Sequence, residues 1–143
     1  MKFNSIGIIH SPYVESGPRQ SYPNAEGDFR IVIDPVYEKG LFRLEDYTHI
    51  YVIYWLDRIT GPLKWIITPH HNHNHQIGLF ASRTPLRPNP IGLALVELRE
   101  VEGNILHISG IDALDGTPVL DIKPYHEGLD STPLQPYYPK GDT

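Results

Sequence analysis

The residue types best suited to holding a ligand are gathered in one stretch, Ser82-Arg83-Thr84-Pro85-Leu86-Arg87-Pro88-Asn89-Pro90-Ile91-Gly92. Pro85, Pro88 and Pro90 fix φ and remove their backbone donors, so neither a helix nor the inside of a sheet can run through them. A stiff, extended loop is expected, one that loses little entropy on ordering and presents Arg83, Arg87 and Asn89 to an anionic or planar partner. The plainer reading is a surface connection whose arginines meet solvent or structural carboxylates.

Two other clusters carry chemical potential. His70-His71-Asn72-His73-Asn74-His75, if extended, sets His71, His73 and His75 on one face, where three imidazoles can bind zinc or a similar divalent ion; a polar loop is the alternative. Arg19-Gln20 is the dense polar point of a long turn-forming segment from Ser11 to Asn24, punctuated by Pro12, Gly17, Pro18 and Pro23. Loops of that length inside a compact domain tend to bind ligands or to be disordered.

The elements that must position these residues are mostly strands. Phe3–Ile9, Phe29–Ile33, His49–Leu56, Trp65–Thr68, Ile77–Ala81, Gly92–Val101, Ile105–Leu114 and Pro118–Ile122 read as short strands bounded by turn signals. The run His49–Leu56 is nearly all apolar, aromatic or β-branched, and predicts a strand covered on both faces. Glu102-Gly103-Asn104 is a hairpin signal that pairs its two flanking strands antiparallel, and Asp115-Gly116 turns the chain again. Tyr37, Leu41 and Leu44 are spaced as one face of a short helix ending near Tyr47, weakened by Gly40. The fold class expected is mainly β: a small single-sheet antiparallel barrel with one short helix and long loops. Residues 1–131 make the domain, and 132–143 a Pro-rich tail containing Pro133, Pro136 and Pro139.

Composition narrows the function classes. At 143 residues and 40% hydrophobic content the chain supports one core and not two. A net charge of -5 argues against a broad nucleic-acid footprint while leaving room for a local one. Without cysteine there is no disulfide, thiolate metal site or cysteine nucleophile. The run ending at His10 is too short for a signal-peptide core, and no stretch of 18 apolar residues occurs, so a cytoplasmic location away from membranes is the expectation. Neither GxGxxG, GxxxxGK[ST] nor GxSxG is present, so a nucleotide-like ligand must be held by loops at the end of a β structure.

Taken in order, Ile6-Gly7, His10-Ser11-Pro12-Tyr13, Pro18-Arg19-Gln20, Ala25-Glu26-Gly27, His49 with its strand to Trp55, Phe80–Pro85, Arg87–Gly92, Leu114–Pro118 and Asp121-Ile122-Lys123-Pro124-Tyr125 form a series. That series resembles the TsaA-like, or TrmO-type, tRNA methyltransferases from Ile6 to about Ser131. The resemblance implies a β-barrel that binds S-adenosylmethionine, works as a homodimer with sites near the subunit interface, and methylates N6 of threonylcarbamoyl-adenosine beside the tRNA anticodon. It implies that Arg19, Gln20, Ser82, Arg83, Arg87, Asn89, Leu114, Asp115 and Gly116 surround the cofactor. The histidine tract replaces a basic stretch found in many relatives, and some bacterial relatives carry a further C-terminal domain that helps hold tRNA. A separate tRNA-binding partner is therefore a further expectation.

Methyl transfer from a sulfonium is an in-line displacement that asks mainly for alignment and exclusion of water. The exocyclic amine must also lose a proton, and Asp115 is the catalytic candidate to accept it, against a purely turn-forming role. Arg83 or Arg87 is expected to pair with a carboxylate while the other meets phosphate, and Asn89 to read an adenine edge. Lys123, Tyr125 and Tyr13 are the substrate-binding candidates, by phosphate contact and base stacking. Two other functions fit parts of the pattern. One is a module that binds the cofactor or a nucleoside without chemistry; the other is a metal-dependent hydrolase on the His71, His73, His75 face.

Overall fold

The computed structural model describes residues 1–17, 24–69 and 75–131. Six strands close into an antiparallel barrel: β1 (Gly7–His10), β2 (Arg30–Ile33), β3 (His49–Trp55), β6 (Ile91–Glu102), β7 (Ile105–Ile108) and β8 (Thr117–Pro124). Their order around the barrel is β1-β2-β7-β6-β3-β8, and β1 pairs with β8 through Ile9 and Thr117 to complete the circle. Closure removes the exposed sheet edges that a chain of short strands would otherwise leave. Between β3 and β6 the chain makes an excursion that carries a small second sheet, β4 (Ile66–Ile67) with β5 (Ile77–Gly78).

Alternation along the strands builds the core. Ile9, Ile31, Ile33, Ile50, Val52, Val96, Leu106, Ile108 and Val119 point inward and are almost wholly buried. The expected two-sided burial of β3 is corrected: its burial alternates, with Ile50, Val52 and Tyr54 inside and Tyr51, Ile53 and Trp55 turned outward. In a six-stranded barrel the outer face has no second layer over it, so an all-apolar strand leaves half its side chains partly exposed.

Other expectations shift for identifiable reasons. The strand expected from Ile105 to Leu114 ends at Ile108. Neighbours β2 and β1 stand between β7 and β8, so segment 109–116 must cross one end of the barrel, and it buries Ile111 and Ala113 there. Expected strand Ile77–Ala81 becomes β5 followed by a 3-10 turn, Leu79–Ala81, and the first strand starts at Gly7 rather than Phe3. The helix expected over Tyr37–Tyr47 is two 3-10 turns, Pro35–Leu41 and Leu44–Asp46, separated by Arg43 at φ 67°. Only Leu41 of this region is buried, too little apolar area to hold a continuous helix against the cost of Gly40. The single α-helix among the described residues is Glu127–Asp130.

The hairpin expected at Gly103-Asn104 joins β6 to β7, with Gly103 at φ 61°. Asn104 fastens it to β2, its Nδ2 donating to the Ile33 carbonyl at 2.7 Å.

Candidate functional site

The end of the barrel crossed by segment 109–116 collects most of the singled-out side chains. Strands β1 and β8 meet there, at His10 and Thr117. The Leu114–Thr117 turn is bound to the exit of β1: Asp115 N–H donates to the Tyr13 carbonyl at 2.7 Å and Gly116 N–H to the Ile9 carbonyl at 2.8 Å. Gly116 sits at φ 88°, a conformation that β-carbons disfavour. Ser11 adds a third tie, its hydroxyl donating to the Ala113 carbonyl at 2.7 Å.

This scaffold places Asp115 with unusual completeness. Its Oδ1 accepts the Ser11 N–H at 3.1 Å and lies 3.1 Å from His10 Nδ1. The two side chains are 42% and 36% exposed, so the pair is open to a ligand while its orientation is fixed. Arg58, just past β3, crosses over and donates to the Asp115 carbonyl at 2.9 Å and to Thr117 Oγ1 at 3.1 Å.

A second cluster fills the barrel mouth. Gly92 faces Tyr54 across the β3–β6 ladder, and a β-carbon there would fall among the Tyr54 ring atoms. The bare glycine lets the ring lie inward, and the Tyr54 hydroxyl donates to Asp112 Oδ1 at 2.8 Å. Burial, followed by the neighbouring Asp112 carboxylate, pushes the phenol far above its ordinary range, while nearby Arg83 pulls weakly the other way. Asp112 belongs to the same crossing segment as Asp115, so one stretch of chain carries a member of both clusters.

The proline segment runs beside this mouth. Pro90 accepts the Leu56 N–H at 2.8 Å, which joins it to the exit of β3. It is not the extended rod expected. Arg87 Nη1 donates to the carbonyls of Ser82 at 3.0 Å and Thr84 at 3.1 Å, so the segment folds back on itself around Pro85. Five extended residues would span about 17 Å, well beyond the reach of one arginine. The Arg87 guanidinium also stands 5.9 Å from the Phe80 ring centroid. Arg83 donates to the Leu93 carbonyl at 3.2 Å, and Ser82 Oγ to the Leu79 carbonyl at 2.7 Å. The polar groups thus shape the loop first; each arginine keeps further N–H donors in its fork for a ligand.

The sequence-derived candidates divide between two ends. Ser82, Arg83, Arg87, Asn89, Leu114, Asp115 and Gly116 lie at the crossed end, with Tyr13 packed there against Phe29 at 5.8 Å. Lys123 and Tyr125 lie at the far end of β8, about 20 Å away along the strand. There Tyr125 meets His49 and Tyr51 with ring centroids 6.5 and 6.0 Å apart, and a hydrogen bond to Glu127 is the main cause raising its phenol above the ordinary value. Lys123 Nζ pairs with Asp121 at 3.1 Å. The chain by itself does not bring these two to Asp115.

Arg19 and Gln20 fall outside the described residues, as do His71 and His73. His75 is described and half-buried, but the one group of three metal-type side chains among the described residues is Glu100, Glu102 and His107, on the outer face of the β6–β7 ribbon. Sequence reasoning gave no role to His10, Arg58, Tyr54 or Asp112. For His10 a signal existed, in the His10-Ser11-Pro12-Tyr13 element; Arg58 reaches a partner 57 residues away, which no local pattern announces.

The family described as tRNA-methyltransferase O N-terminal domain matches residues 8–131, nearly all of the barrel. The chain belongs to that family. Within it, a probable S-adenosyl-L-methionine-binding protein of Archaeoglobus fulgidus is 45% identical over 92% of this chain and 36% of its own length. The tRNA (adenine(37)-N6)-methyltransferase of Escherichia coli is 35% identical, over 92% of this chain and 60% of its own. A crystal structure of TrmO superposes with a TM-score of 0.79 at 30% identity, covering 96% of this chain and 62% of that one. The chain therefore spans between about a third and two thirds of the length of these three proteins. Its barrel is the TrmO barrel, and of the described motifs that resembled the family in sequence, His10–Tyr13, Phe80–Gly92 and Leu114–Pro118 lie at the crossed end while His49 and Asp121–Tyr125 lie at or toward the far end.

Proposed function

We propose that the chain binds S-adenosylmethionine at the crossed end of the barrel and transfers its methyl group to N6 of adenosine or threonylcarbamoyl-adenosine in tRNA, next to the anticodon. The observation that carries this reading is a convergence inside one family fold: the exit of β3 touches the proline loop through Leu56 and the Asp115 turn through Arg58. The donor set suits the cofactor. Arg83 and Arg87 offer forks to its carboxylate, Asn89 an amide to its adenine, and the Leu114–Gly116 turn a polar wall beside a sulfonium. Bound there, the sulfonium supplies an activated methyl group. The barrel's own work is to fix the acceptor amine in line with it and to keep water out. Arg19 and Gln20 belong to the same proposed set, and Lys123 with Tyr125 to the tRNA contact.

Residues 1–131 are proposed as the functional unit, acting as a cytoplasmic homodimer. On the outer face of β3 and β6, Trp55, Ile91, Leu93 and Leu95 are 41–51% exposed, apolar area that a second copy can cover. A dimer also offers a way to bring Lys123 and Tyr125 of one copy toward the Asp115 end of the other. The net charge of -5 has the wrong sign for wrapping a polyanion, which favours local tRNA contacts or a separate tRNA-binding partner. No helix among the described residues is long and apolar enough to cross a membrane.

A second reading has its own support: the Archaeoglobus fulgidus relative is named only for binding S-adenosylmethionine. Calorimetric titration of the chelator-treated protein with S-adenosylmethionine, followed by incubation with bulk tRNA and a labelled methyl donor, separates the two. Binding with label entering tRNA supports the methyltransferase; binding without transfer supports the module; absence of binding rejects both.

A further inference from the structure

Asp115 was the sequence candidate for the proton acceptor, yet its geometry suits another task. Oδ1 is already shared by the Ser11 N–H and His10 Nδ1. An ionised carboxylate only accepts, so a hydrogen bond at this distance places a proton on Nδ1, and in the neutral ring Nε2 then carries the lone pair. An imidazole held in one tautomer by a carboxylate is a general base matched to neutral pH, as an isolated carboxylate is not. We infer that His10 is the base that takes the proton from the acceptor amine, and that Asp115 is its positioning residue. This rests on the methyltransferase reading above.

The step balances without a further reactant. The N6 lone pair forms the N–C bond to the methyl carbon while the C–S bond breaks and leaves its electron pair on sulfur. The proton lost from N6 goes to His10 Nε2, and the resulting imidazolium is stabilised by Asp115 until it releases the proton to solvent. Three charged groups flank His10. Asp115 holds it, Arg30 stands opposite it on β2 while pairing with Asp28 at 3.0 Å, and Arg58 lies over the Asp115 carbonyl. His10 closes β1 and is 36% exposed, so its free edge is reachable from outside the barrel.

His10→Asn is the decisive variant, because its amide nitrogen can replace Nδ1 in the bond to Asp115 while removing Nε2. The full chain is assayed under single-turnover conditions with S-adenosylmethionine and bulk tRNA, beside thermal melting, cofactor titration and nitrogen-15 NMR of the histidines. Expected are a wild-type melt and cofactor affinity, a loss of at least about 100-fold in transfer, and disappearance of the acid-side limb of the pH–rate profile. His10→Ala is expected to regain part of its rate with added imidazole. The wild-type spectrum should show His10 with a protonated Nδ1 and a bare Nε2, and Asp115→Asn should abolish that preference. Transfer by folded His10→Asn at the wild-type rate and pH profile, or an Nε2-protonated His10, overturns the inference alone. A wild-type protein that binds the cofactor and methylates no RNA overturns both the inference and the reading beneath it.

Discussion

The two ends of the barrel differ in the balance of their interactions, although each has both kinds: Tyr13 packs on Phe29 at the crossed end and Asn104 bonds to the Ile33 carbonyl at the other. At the crossed end, side chains bond to backbone: Ser11 to Ala113, Arg58 to Asp115, Arg87 to Ser82 and Thr84. At the opposite end, His49, Tyr51 and Tyr125 meet through ring contacts around a groove bordered by Tyr47, Leu95 and Glu127. Hydrogen bonds are directional and fix positions within tenths of an ångström, whereas tilted rings share contact over a broad range of geometries. Under the proposed function, this difference suits the first end to aligning reacting atoms and the second to meeting a large, variable surface.

Asp115→Ala should show the largest effect. Removing the carboxylate strips His10 and the Ser11 N–H of their partner, and methyl transfer is expected to fall by about 10²–10⁴. Near-normal transfer would erase the distinction between the ends. Gly92→Ala tests the scaffold of the same end: the new β-carbon would meet the Tyr54 ring, and chemical denaturation should report a loss of about 1–3 kcal/mol. An unchanged midpoint would mean that the mouth is looser than its polar ties imply.

Alkaline titration probes the same cluster more gently. Tyr54 keeps its proton in the fold well above its ordinary value of 10.0, so the unfolded chain releases a proton first. The stability this confers is full below pH 10 and declines above it by about 1.4 kcal/mol per pH unit. Tyr54→Phe should flatten that decline in denaturation curves taken from pH 9 to 11. The smallest effect belongs to the far end, where Lys123 is exposed and already paired with Asp121. Lys123→Ala should weaken tRNA binding several-fold, lower the log–log salt slope by about 1, and leave cofactor affinity alone. A larger loss in cofactor affinity than in tRNA affinity would interchange the roles of the two ends.

Strand existence was legible because alternation and turn residues are local: Gly103-Asn104 and the isoleucine runs of β1 and β2 needed no tertiary information. Motif order was legible too, and it led to the family and the barrel. What escaped was set by contacts across the fold. The tie between His10 and Asp115 spans 105 residues, and that between Tyr54 and Asp112 spans 58. Arg87 read as a free cation because its two carbonyl partners appear only once the loop bends. The helix over Tyr37–Tyr47 was misread because spacing alone does not reveal how little of that face finds a core to cover.

Pairing of the first strand with the last has a kinetic consequence. Loop-closure entropy must be met before such a non-local ladder returns any free energy, so β1–β8 zipping is expected late in folding. On the ribosome, β1 must wait for more than a hundred residues of chain before its second partner exists. His10 and Asp115 meet across that seam, so the proposed base and its partner come together only at the final closure.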